Sequence, residues 1–112
     1  MEGSANNTTP KGFVFAVGAL VRHRNKRFRG VVVDAHPHFQ GPVDVGWVGD
    51  AMRKRWQQPW YELLVHGTKD VVYLPQESME LDPSEQPVSH PLIRLFFNRF
   101  VEGRYALEGM HH

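Results

Sequence analysis

Val17-Gly-Ala-Leu-Val-Arg-His-Arg-Asn-Lys-Arg-Phe-Arg-Gly-Val-Val-Val-Asp34 is the stretch that decides the fold. A glycine opens an apolar segment, a short cationic turn follows, and a second glycine opens a β-branched run. Leu20–His23 reads as one strand, Asn25-Lys26-Arg27 as the turn and Arg29–His36 as the next strand, ended by Pro37, which cannot donate to a ladder. Glycines at strand entries permit sharp bending and close backbone approach. The pattern points to an all-β domain, a small SH3-like five-stranded barrel of the kind that binds partners on loops and on an open sheet face.

Working outward, the remaining strands are expected over Trp60–His66, Val71–Leu74 and Met79–Leu81, with Gly67-Thr68-Lys69-Asp70 as a tight turn. From His38 to Gln57 the chain has no sustained periodicity. Gly41-Pro42, Gly46 and Gly49-Asp50 mark a long loop, with a short helix or turn over Asp50–Trp56. Loops of this length inside a compact domain are more often functional than not. Ser89-His90-Pro91 has the form of a helix start, Gly103 suits its end, and the helix is expected over Pro91–Val101. Leu92, Leu95 and Phe96 would then close the end of the barrel. Ile93, Phe97 and Phe100 would extend the apolar stripe outward as a surface for self-association into a homo-oligomer. Residues 1–12 read as a disordered leader, 13–106 as the domain and 107–112, with His111-His112, as a tail.

The 112 residues suffice for one modest core. No apolar run is long enough to span a bilayer, so no membrane partner is expected. Without cysteine there is no disulfide framework or zinc–thiolate site, which suits a reducing, cytoplasmic setting. The formal net charge is only +1, but its placement is uneven. Arg22, Arg24, Lys26, Arg27 and Arg29 form one cluster and Arg53-Lys54-Arg55 a second, so eight of the thirteen cationic side chains lie in two short stretches. Strand alternation puts Arg22 and Arg24 on one face, opposite Val21 and His23. Both clusters are candidate phosphate contacts. Trp47 and Trp56 interleave with the second cluster and suit base stacking or a protein hot spot, whereas Trp60 lies in a strand and reads as core.

Other constellations are weaker. His36-Pro37-His38, with His66 or His90 as a third ligand, lacks the spacing of a metal site, and neither a metal nor a cofactor is expected. The serines (Ser4, Ser78, Ser84, Ser89) sit in leader, turn or cap contexts, with no nucleophile elbow and no phosphate-cradling glycine loop. The chain therefore reads as a binding module and not as an enzyme.

At five blocks in order the sequence resembles the HspQ-like family, also described as the hemimethylated-DNA-binding domain family, with related domains at the C-terminal end of some F-box proteins. The blocks are Val17-Gly18 with Val21-Arg22-His23, Arg29-Gly30-Val31-Val32 with Asp34 and Pro37, Gln58-Pro59-Trp60-Tyr61, Tyr73-Leu74-Pro75-Gln76-Glu77, and Ser89-His90-Pro91. The chain departs from the family pattern at His66-Gly67-Thr68, Pro75 and Ser78. The resemblance implies a non-enzymatic β-barrel in a regulatory, heat-shock or stress-response role. Its partner would be hemimethylated double-stranded DNA or, alternatively, a cytosolic ATP-dependent protease of the Lon type, modulated by an adaptor.

Overall fold

The computed structural model describes residues 12–40 and 49–109. Strand β1 (Leu20–His23) turns back into β2 (Arg29–His36), and a short helix, α1 (Asp50–Trp56), precedes β3 (Trp60–Val65) and β4 (Val71–Pro75). A 3-10 turn (Gln76–Ser78) leads into β5 (Met79–Leu81), followed by α2 (Ile93–Phe96) and a hairpin of β6 (Arg99–Val101) and β7 (Arg104–Ala106). The five longer-range strands form one antiparallel sheet in the order β4-β3-β2-β1-β5. The sheet is not closed into a barrel: β4 and β5 are its edges and share no ladder among the described residues.

Both faces of the sheet are covered, which explains why β2 and β3 are apolar at consecutive positions. Leu20, Val31, Val33 and Leu64 point to one side, where Val88, Phe97 and Tyr105 of the C-terminal segment meet them. Val21, Val32, Tyr61 and Leu63 point to the other, where Phe15 and Met79 close a second cluster. A bulge between Val32 and Asp34 bends β2 between these two cores. Two glycines permit the crossings. Gly18 lies at φ +96° against the Tyr105 backbone, and a Cβ on Gly30 would stand 2.7 Å from the Leu64 carbonyl oxygen.

The C-terminal helix expected over Pro91–Val101 is corrected to a single turn. Helix α2 stops at Phe96, and Phe97 is already extended at φ −138°, ψ 151°. Glu102 (φ 52°) and Gly103 (φ 77°) then form a two-residue hairpin turn with the pairing Val101↔Arg104, so Gly103 serves a hairpin and not a helix end. Ser89 does not cap the helix. His90 Nδ1 accepts the N–H of Leu92, the residue just before the helix, at 3.1 Å, and no described side chain caps the helix itself. The expected facing is also inverted. Phe97 is 4% exposed, and Ile93 and Phe100 pack on the same core, whereas Leu95 is 74% and Phe96 36% exposed. Of the side chains assigned to an oligomer interface, Phe97 is buried in this domain's own core, and Ile93 and Phe100 are half-buried against it.

Candidate nucleic-acid interface

The first cationic cluster sits on a braced turn. Val21 and His23 are buried while Arg22 is half-buried and Arg24 exposed, as strand alternation requires. His23 Nδ1 accepts the N–H groups of Asn25 (3.1 Å) and Lys26 (3.0 Å), and its ring packs 5.2 Å from that of Phe28. Arg27, at φ 67°, closes the turn by donating its N–H to the His23 carbonyl at 3.0 Å. Arg24, Asn25, Lys26 and Arg27 are held outward on this frame.

Acidic side chains of β5 and its exit divide the cluster. Arg22 Nε lies 2.5 Å from Glu80, while Arg24 and Arg27 approach the same carboxylate loosely, at 3.7 and 3.6 Å. The hydrogen bond from Arg22, reinforced by the charges of Arg22, Arg24 and Arg27, holds the Glu80 carboxyl below its ordinary value. Arg29 is committed elsewhere: its Nε reaches Asp82 at 2.5 Å and its terminal nitrogen donates to the Gln86 carbonyl. Burial alone would raise the Asp82 carboxyl, but hydrogen bonds from Arg29 and from the Ser84 N–H and hydroxyl outweigh it, and the net direction is down. Arg24, Lys26 and Arg27 are therefore the side chains left facing solvent.

The second cluster occupies α1, with Asp50 in its first turn and Arg53, Lys54 and Arg55 in its last, the favourable arrangement for a helix dipole. None of its residues is buried. It is tied down at its C-terminal end, where the Trp56 carbonyl accepts the Phe39 N–H at 2.8 Å and the Arg55 carbonyl accepts Trp60 Nε1–H at 2.8 Å. Lys26, Arg53 and Lys54 make no ion pair with another described residue; Arg55 lies 2.6 Å from Glu77. Trp60 is buried, as its strand position implies. Trp47 lies outside the described residues.

The two clusters are far apart in sequence, and the turn Gln76–Ser78 joins them. The Ser78 carbonyl accepts the Arg24 N–H at 2.8 Å, the Glu77 N–H donates to Gln58 Oε1 at 2.7 Å, and the Glu77 carboxylate pairs with Arg55. Cationic side chains thus flank one turn from both sides. Sequence reasoning missed Glu77 and Glu80 as partners, because recognising them requires the β1–β5 register, in which Arg22 stands opposite Glu80. It also missed the aromatic array of Phe39, Trp56, Trp60 and Tyr73, drawn from the stretch after β2, from α1, from β3 and from β4.

The described histidines are engaged in hydrogen bonds within the domain. His36 lies 3.4 Å from Asp34 through Nε2 and 3.1 Å from the Tyr73 hydroxyl through Nδ1. Burial, and then the charges of Glu62 and Asp34, push the Tyr73 hydroxyl up against the opposing Gln40 N–H. It stays protonated at neutral pH and acts as a hydrogen-bonding post. His38 contacts Gln40, His66 Nδ1 accepts the Ser89 N–H, and His90 Nε2 lies 3.0 Å from the Asp70 carbonyl oxygen. Among the described residues no three His, Asp or Glu side chains gather as a metal site would need, and no helix is long and apolar enough to cross a membrane.

No curated protein and no solved structure matches the chain. A family model does, and that family is one of DNA-binding modules and not of enzymes. Described as "YccV-like: Hemimethylated DNA-binding protein YccV like", it spans residues 13–104, from the N-terminal aromatic segment to the first residue of β7, and the chain belongs to that family.

Proposed function

We propose that this chain is a non-enzymatic regulatory module of the cytoplasm that binds double-stranded DNA with a preference for the hemimethylated form. Phosphate contacts are assigned to Arg24, Lys26 and Arg27 of the β1–β2 turn and to Arg53, Lys54 and Arg55 of α1. The observation that carries this reading is the convergence of both cationic segments on the turn Gln76–Ser78. Arg22 and Arg29 act one step back, fastening β1 and β2 to Glu80 and Asp82. The same turn carries the chain from β4 at one edge of the sheet to β5, which pairs with β1 at the other, and this supports reading the sheet as an SH3-like barrel left open between β4 and β5.

Competition among three otherwise identical duplexes, unmethylated, hemimethylated and fully methylated, tests the preference. Hemimethylated duplex is expected to displace the others at the lowest concentration. Equal displacement by all three would remove methylation from the reading while leaving duplex binding in place.

A second reading has its own support. Leu95, Phe96, Val101 and Leu107 are exposed apolar residues of the C-terminal segment. Such a surface suits an adaptor that docks on an ATP-dependent protease of the Lon type. Docking of that kind would hold as salt is raised, whereas phosphate binding weakens steeply.

A further inference from the structure

Beside the cationic helix lies an aromatic surface that phosphate contacts do not use. The Trp56 ring stacks on Phe39 with centroids 5.4 Å apart and planes 13° from parallel. Trp60 meets Phe39 edge-on at 4.9 Å, and Tyr73 closes the array at 5.8 Å from Phe39 and 5.2 Å from Trp60. Trp60 is the buried anchor, while Phe39, Trp56 and Tyr73 keep part of their surface in water. Because α1 buries no residue, the indole of Trp56 is not filling a core. Arg53 lies three residues before Trp56 and so shares its helix face.

A flat ring seated on a second ring, with the cations Arg53 and Lys54 along the same helix, has the chemistry that holds a nucleobase and its neighbouring phosphates. A fully paired duplex keeps its base faces stacked and offers none to such a ring, except at its ends. We infer that Trp56, backed by Phe39, is a stacking platform for an unpaired or extrahelical base, with Arg53 and Lys54 on the flanking phosphates. The inference rests on the DNA-binding reading and adds to it a preference for duplexes that carry a base out of the stack.

The test uses the full chain, a fully paired duplex and the same duplex carrying one bulged thymine, with anisotropy and tryptophan emission followed together. The bulged duplex is expected to bind about 5- to 150-fold tighter and to quench emission more strongly. Trp56→Ala should lose this preference while keeping paired-duplex affinity and its salt dependence. Trp56→Phe should keep most of the preference, and with the wild-type quench it decides the matter if the alanine variant melts. Equal wild-type affinity for the two duplexes, or a preference that survives Trp56→Ala, would overturn the inference. Tight, quenching binding to the bulged duplex without binding to the paired one would overturn the proposed function and leave the platform standing. An emission change with a Lon-type protease but with neither duplex would assign the surface to a protein partner and overturn it.

Discussion

Gly30 has no room for a side chain, because its α-hydrogen faces the Leu64 carbonyl across the β2–β3 ladder. Gly30→Val should therefore cost about 2 kcal/mol or more, visible as a large fall in melting temperature by circular dichroism. Glu80 has the opposite character. It neutralises arginines that would otherwise face a phosphate, so Glu80→Gln should raise duplex affinity several-fold at low salt and steepen its salt dependence. Unchanged affinity in anisotropy titrations would mean that Arg24 and Arg27 do not meet DNA. Asp82 links the fold to pH. A carboxylate held below its ordinary value contributes stability that is complete above its unfolded value and is lost as pH falls through the folded one. Denaturant melts should show that loss setting in below about pH 4, and Asp82→Asn should flatten it at the expense of stability at neutral pH.

At the scale of elements, the strands were legible and the C-terminal segment was not. Leu20–His23 and Arg29–His36 were readable because an apolar, β-branched run, glycine entries and the Pro37 stop all agree there. The run Leu92–Phe100 is apolar at helical and at extended spacing alike, and only packing separates the two. Extending at Phe97 buries its ring 5.4 Å from Tyr105, and the Glu102-Gly103 turn brings that tyrosine back to donate its hydroxyl to the Val88 carbonyl at 3.1 Å. A hairpin that seats Phe97 in the core makes Phe97→Glu a folding defect. Its expected outcome is loss of the cooperative melt, in place of dissociation of an assembly. Light scattering with circular dichroism separates the two, and a folded variant of reduced mass would contradict the packing described here.

For the whole molecule, the cationic residues were readable one by one, but their grouping was not. Arg24 and Arg55 are 31 positions apart, and what unites them is a turn between β4 and β5 whose carbonyl and carboxylate touch both segments. The acidic side chains of that region look, in sequence, like a separate patch. In space they are interleaved with the basic one, and a chain of net charge +1 places eight of its thirteen cationic side chains on two narrow elements. The central claim is that these elements contact one duplex together. It is tested most directly by the slope of log affinity against log salt for the wild type, for Arg24→Ala/Arg27→Ala, for Arg53→Ala/Lys54→Ala and for the four changes combined. Each neutralised phosphate contact accounts for about 0.9 of slope, so each pair should flatten it by up to about two and the combination by up to about four. A slope that either pair leaves unchanged would show that its segment does not touch the phosphates, and the joint surface would be contradicted.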